Sequence, residues 1–410
     1  MARLSPQAIT TQCGMRLVHM HDRGAASGIF GIVVGAGSSD ETSREEGLAH
    51  FVEHTIFKGT ARRSSWHIIN RMEAIGGELN AYTSKEETVV YSIFPGHNAA
   101  RAVELIADLA ANSQFPAREL DKERQVVLDE IASYLDNPSE AVFDLFEEKL
   151  FAGTPLAHNI LGSESTVANL GSDDCRSFLA RNYTKANCVA FYSGPQGAST
   201  VASMLDRYFA ILPDGKPVER HKICLPQAPH FDTTQSQACH QAHVLAGICT
   251  PGMYSPERFA VALLANIAGG PGMNSLLNIE LREKRGLVYN VEASTAFFSG
   301  TGYMGVYFGC DAEDLNRCRQ LCDDVFARIA DGRALTPRRL QAAKKQYIGQ
   351  RAVASENREN SIINAARAAL FYGRIPDRRE TDAIIQAIGA DELAALAAEF
   401  TDASVLAFVP

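Results

Sequence analysis

No Cys-x-x-Cys pair occurs in this sequence, although it holds nine cysteines, at positions 13, 175, 188, 224, 239, 249, 310, 318 and 322. An odd, irregularly spaced set of this kind argues for free thiols in a reducing compartment over a disulfide scaffold. No run approaches the roughly 18 consecutive apolar residues that a membrane span needs. Met1–Thr11 also lacks the apolar stretch of a secretory signal. Together these absences predict a cytoplasmic protein with no membrane partner. A basic surplus is missing too: 39 Lys and Arg stand against 48 Asp and Glu, a net charge of -9. That balance argues against a nucleic-acid partner. What is present is an ordinary globular composition, 46% hydrophobic and 21% charged over 410 residues. Such a chain has room for two or more domains and can bury its cores without a staple.

Periodicity and punctuation give an alternation of strands and helices. Strands are predicted at 12–21, 26–37, 78–83 and 87–95, and helices at 44–58, 64–75, 97–112 and 117–135. The last helix stops at Asn137-Pro138, because proline cannot continue it. The second half repeats the order. A strand at 241–249 precedes a helix starting near Pro256, then come a helical Asn274–Lys284, strands at 287–296 and 301–309, and a helix at 311–331. Ile29–Val34 matches His243–Ile248, and Val90–Phe94 matches Met304–Phe308, at a shared offset of roughly 213 residues. Two matches at one offset suggest duplication. The predicted fold is therefore α+β, with two tandem homologous domains, each an antiparallel-rich sheet with helices packed on one face. The expected division is 1–215, a Pro- and Gly-containing linker at 216–230, and 231–410.

The segment with chemistry is Gly47-Leu48-Ala49-His50-Phe51-Val52-Glu53-His54. On a helix His50 and His54 are i and i+4, so both imidazoles leave one face a turn apart. That geometry suits two nitrogen ligands on one tetrahedral zinc, and Glu53 stands close enough to take a proton from water. Leu48, Phe51, Val52 and Ile56 are left to pack the opposite surface. His-x-x-Glu-His is the inverted zincin order. As a bare five-residue match it is equally that of chance neighbours on a solvated face. A third, carboxylate ligand is sought on helix 117–135, where Glu123 and Glu130 share a face two turns apart. Glu130 sits between Leu128 and Ile131, an odd place for a carboxylate without a partner. Spacing alone fits two surface glutamates as well. Carrying His50, Glu53 and His54 forward by the offset lands near Leu263, Asn266 and Ile267, where the second half has no imidazole or carboxylate.

These residues, with Phe57-Lys58-Gly59-Thr60, Gly76-Gly77-Glu78-Leu79-Asn80-Ala81-Tyr82-Thr83-Ser84 and Glu123–Ile131, resemble the pitrilysin-type inverted-zincin metallopeptidases. That family includes the mitochondrial processing peptidase and insulin-degrading enzyme, and the likeness covers nearly the whole chain. The resemblance implies one Zn2+ per chain held by His50, His54 and Glu130, Glu53 as general base, and Glu123 orienting the site. Asn80 and Ala81 would lie on the strand that pairs with an extended peptide substrate. On spacing alone, Asn80 reads as a strand-end turn residue. Leu281–Tyr289 is similar to the family's second signature, so that Arg282 and Tyr289 would contact the substrate carbonyl or a developing oxyanion. Without the resemblance both read as ordinary surface residues. Leu277 departs from the family, which often has arginine there.

The implied function is a zinc-dependent endopeptidase acting on peptides or unstructured polypeptides. The chain supplies one half of the larger members' clamshell, which implies a homodimer with Arg282 and Tyr289 acting across the interface. A heterodimer with a zinc-less paralogue stays open. The competing class is a non-catalytic peptide-binding or scaffold subunit, whose family representatives usually lose ligands that are all present here. Other candidates read as structural. Cys239, His240 and His243 fall on an expected strand with the two histidines on opposite faces. Trp66-His67 reads as a packed helix start, and Gly269–Gly272 lacks the Lys-Ser/Thr of a phosphate loop.

Overall fold

A computed structural model describes residues 5–216 and 230–410. Of the expected linker only its two ends fall within them, and the rest lies outside the described residues, as does Cys224. Every described cysteine is a free thiol. No helix among the described residues is long and apolar enough to cross a membrane.

The chain forms two compact units. The first holds a six-stranded sheet built from β1 (Gln7–Thr10), β2 (Arg16–His21), β3 (Ser27–Val34), β4 (Glu78–Thr83), β5 (Thr88–Pro95) and β6 (Cys188–Gly194). Their spatial order is β1-β2-β6-β3-β5-β4. The second holds five strands, β7 (Asp232–Ser236), β8 (Ala242–Thr250), β9 (Val288–Phe297), β10 (Gly302–Cys310) and β11 (Ser404–Val409), ordered β7-β11-β8-β10-β9. Dropping β1 makes the two orders the same. The pairing sense agrees as well: β2 with β6 and β7 with β11 are parallel, and every other pair is antiparallel. The duplication read from two strand matches therefore extends to whole sheets.

In the first unit α1 (Leu48–Thr55), α2 (Ser65–Glu73), α3 (Ala99–Asn112) and α4 (Ala117–Leu135) share one core with a face of the sheet. The core side of β3 is Phe30, Ile32 and Val34, all fully buried. Its other side, Ile29 and Val33, is equally buried, with Val18, Val89 and Phe191. A strand apolar on both sides needs cover on both faces. The expectation of helices on one face holds for most of them, and one further helix, Arg358–Tyr372, closes the other face through Ile362, Ile363 and Ala366. Polar pins fix that helix: Arg358 donates to Ser27 O at 2.9 Å and Tyr91 Oη donates to Glu359 Oε1 at 2.7 Å.

The second unit mirrors this. Helices Arg258–Gly269, Leu315–Ala330 and Ala390–Phe400 pack with one sheet face around Val244, Val306 and Phe308. α5 (Pro138–Leu150) covers the other face, setting Val142 and Phe146 against Leu245, Tyr303 and Phe408. Asn137 ends one helix and caps the next, accepting from Ser139 N, with Pro138 at the first helical position. The units thus exchange a helix each. The first takes the chain up to Ile131, His158 to the linker, and Ser355–Pro376, whereas α5 and its flanks belong to the second. This differs from a linear cut at 215/231, because sequence order does not reveal which sheet a helix covers.

A fragment ending at residue 216 keeps α5 and lacks Arg358–Tyr372. It should expose Val18, Ile29, Val33 and Phe191 and show no cooperative thermal transition by circular dichroism. A sharp transition in that fragment would refute the exchange as a stability requirement.

Candidate metal centre

α1 is shorter than its sequence signal because the chain enters it through Gly47. That residue has φ +91, and a Cβ there would stand 2.5 Å from Leu161 O, so only glycine fits. The buried amino end of α1 is closed by Glu41. Its buried carboxylate accepts from Gly47 N at 2.9 Å and Ala49 N at 2.6 Å, satisfying donors that a helix start leaves open. His158 Nε2 lies 3.1 Å from the same carboxylate and 2.7 Å from Ser38 O. Leu48, Phe51, Val52 and Ile56 are all buried, as expected, which turns His50, Glu53 and His54 away from the core.

α4 presents the carboxylates. Its buried positions are Leu120, Val127 and Ile131, and Glu123 and Glu130 each lie three residues beyond one of them. Arg124 clamps the helix by donating to Leu170 O at 2.8 Å, with its guanidinium 6.0 Å from the Phe51 ring centre. The result is a convergence. Glu130 Oε2 stands 3.4 Å from His54 Nε2 and 3.7 Å from His50 Nε2. The two imidazole rings are 4.5 Å apart between centres. Two donors each 2.0–2.2 Å from one tetrahedral ion are about 3.3–3.6 Å apart. Both separations are long for hydrogen bonds; the 3.4 Å one falls within that range and the 3.7 Å one just beyond it. Among the described residues, His50, His54 and Glu130 are the one group of three or more such side chains placed to hold a metal ion.

Burial, and then the neighbouring His54, push His50 down to about 3. It is therefore the neutral imidazole that a metal ligand must be. Glu123 Oε2 is 3.4 Å from His54 Nδ1, and its other oxygen is 2.5 Å from Lys58 Nζ. Outer partners of this kind fix a ligand ring's tautomer and orientation. His50 Nδ1 is buried with no hydrogen-bond partner among the described residues. Burial raises the pKa of Glu53 above the ordinary carboxylate value, with Thr83 and His54 pulling the other way.

Asn80 and Ala81 lie on β4, the edge strand of the first sheet, paired on one side only, with Tyr91 and Val90. Thr83 at the end of that strand faces Glu53. Arg282 and Tyr289 belong to the second unit. Arg282, on the π-helical turn Asn278–Glu283, holds its guanidinium 5.6 Å from the Tyr289 ring, and Tyr289 is 85% exposed on edge strand β9. Leu277 is fully buried in the second core, where an arginine would be costly. His240 precedes β8, so of the two histidines only His243 is on a strand, with Nδ1 2.8 Å from Tyr307 Oη. Trp66 does start α2, but it is 66% exposed and touches His67 edge-on, so the packed reading is corrected.

Residues 16–164 match the profile of Insulinase (Peptidase family M16), and residues 169–347 match that of the Peptidase M16 inactive domain. An uncharacterized zinc protease of Mycobacterium tuberculosis is 32% identical over 97% of this chain and 91% of its own length. The chain belongs to peptidase family M16. Another M16 relative, the uncharacterized zinc protease YmxG of Bacillus subtilis, is 29% identical over 98% of this chain and 97% of that protein. The M16 fold also matches solved structures. A peptidase M16 inactive domain from Pseudomonas fluorescens gives a TM-score of 0.90 at 20% identity, covering 99% of this chain and 98% of that one. A protease from Helicobacter pylori gives 0.86 at 19%, covering 99% and 100%.

Glu41, His158 and Lys58 carried no assigned role in the sequence. Lys58 stood in a matching motif, so a signal existed; Glu41 and His158 lie in loops with no periodicity to flag them. Glu41→Gln leaves one of the two helix amides facing a side-chain N–H. It should cost about 1–3 kcal/mol in urea denaturation of the metal-free protein. An unchanged midpoint would remove Glu41 from this role.

Proposed function

We propose that the chain is a zinc-dependent endopeptidase acting on peptides and unstructured polypeptides. The observation that carries this reading is the meeting of two imidazole Nε2 atoms on one oxygen of Glu130, with Glu53 on the same helix as the imidazoles. His50, His54 and Glu130 would hold one zinc ion per chain, the three-ligand set of a catalytic site. When bound, zinc supplies a Lewis acid that polarises a carbonyl and lowers the pKa of water.

The protein's own groups do the rest. Glu53 takes a proton from the attacking water and returns it to the departing amine, a role helped by a pKa lifted through burial. Glu123, itself neutralised by Lys58, keeps the His54 ring turned with Nε2 towards Glu130. The free edge of β4 at Asn80 and Ala81 suits an extended substrate backbone, which explains a preference for unfolded chains over a particular sequence. Arg282 and Tyr289 are donors for a substrate carbonyl or oxyanion. In the proposed assembly they act across a homodimer, and a heterodimer with a zinc-less paralogue would use them in the same way. The free thiols among the described residues suit a cytoplasmic setting. The relatives named zinc proteases support both the metal and the reaction class.

Hydrolysis of a quenched fluorescent peptide, with zinc measured on the same samples, tests the reading. Glu53→Gln should keep zinc and lose about 10²–10⁴-fold in turnover. Glu130→Ala should lose the zinc itself. A zinc-loaded wild type that binds peptide without cleaving it would instead indicate the peptide-binding subunit.

A further inference from the structure

The second unit has its own cleft at the position of the first unit's metal site. Helix Arg258–Gly269 follows β8 as α1 follows β3, and helix Pro337–Ala354 follows Leu315–Ala330 as α4 follows α3. Asn137 and Asn357 each cap the next helix and are 220 residues apart, and the same interval carries Glu130 to Gln350. Asn266, at the counterpart of Glu53, donates Nδ2 to Gln350 Oε1 at 2.8 Å. Two neutral amides close on one another where the first unit gathers metal-binding groups.

The chemistry of this cleft has changed sign. It opens into a cavity of about 490 Å³ whose lining includes Asn266, Ile267 and Leu335. That volume lies within the range of small-molecule sites. Its charged lining is Lys284, Arg328, Arg333 and Arg339 against one acid, Glu280, in a protein whose net charge is -9. Glu280 is buried and fully engaged. It accepts from Lys284 Nζ at 2.9 Å, Arg285 Nη1 at 2.7 Å and Arg328 Nη1 at 3.2 Å. These contacts, Lys284 first, hold its carboxyl down to about 2. Arg333 at the rim is paired with Asp331, Nε to Oδ2 at 2.6 Å, but one carboxylate shared among Lys284, Arg285 and Arg328, with Arg339 beside them, still leaves positive charge over. Arg328 Nε is buried with no acceptor among the described residues, so that nothing among them offsets the desolvation of this donor. Arginine forks match carboxylate and phosphate oxygens, and the neighbouring apolar side chains accept a carbon frame.

We propose that this cavity binds a small organic polyanion, a molecule carrying two or more carboxylate or phosphate groups on a compact carbon skeleton. The site is separate from the metal centre and does not rest on the peptidase reading. Arg328 and Lys284 meet the inner oxyanion, and Arg333 and Arg339 at the rim meet the outer one.

Calorimetric titration of the full-length chain with propane-1,2,3-tricarboxylate, and separately with ribose 1,5-bisphosphate, tests it. At least one probe should saturate with a Kd below about 1 mM, weakening as salt rises. The rim variant Arg333→Ser/Arg339→Ser should bind about tenfold more weakly, with zinc content and ligand-free melting temperature unchanged. Whichever probe saturates identifies the oxyanion as carboxylate or phosphate. Absence of saturation by both probes up to about 10 mM, or equal binding by the rim variant, would overturn the proposal.

Discussion

Two imidazoles one turn apart on α1 reach a carboxylate on α4 only if both helices are fixed in rotation and along their axes. Everything else at the metal centre depends on that register. Rotation is set by burial: Leu48, Phe51 and Val52 on one helix and Leu120, Val127 and Ile131 on the other. Translation is set by polar contacts at the ends. Glu41 holds the amino end of α1, and Arg124 ties α4 to the carbonyl of Leu170. A shift of even half a turn in either helix would separate Glu130 from both nitrogens, since one turn is about 5.4 Å.

The parts legible in the sequence are those with a period or a fixed spacing. His50 and His54 announced themselves through i,i+4, and Glu123 and Glu130 through a seven-residue interval, although spacing alone could not tell a ligand from a surface glutamate. The decisive fact is three-dimensional, the 3.4 Å and 3.7 Å approaches to one oxygen. The duplication was foreshadowed by two matched segments at one offset, and the like strand orders of the two sheets extend it. Features without a period stayed hidden. Glu41 acts six and eight residues away through loop geometry, and His158 reaches it across more than a hundred residues. Trp66 was misread because a large aromatic usually packs, whereas α2 buries only Ile68 and Met72 and leaves the indole outside.

Duplication followed by divergence explains the contrast between the units. The same topology carries imidazole and carboxylate in one cleft and paired amides beside arginines in the other. Asn266 and Gln350 satisfy each other, so the second cleft is stable without an ion. The first leaves a set of donors too far apart for good hydrogen bonds and correctly spaced for a metal.

The reciprocal helix exchange also has a consequence in time. The first sheet emerges from the ribosome long before Arg358–Tyr372, the helix that seals its second face. At synthesis rates of about 5–20 residues per second, the stretch from the linker to that helix takes about 7–28 s. For that interval Val18, Ile29, Val33 and Phe191 have no native cover, while α5 waits for a sheet not yet made. The first unit therefore cannot close its second face until late in synthesis, and the two units complete almost together.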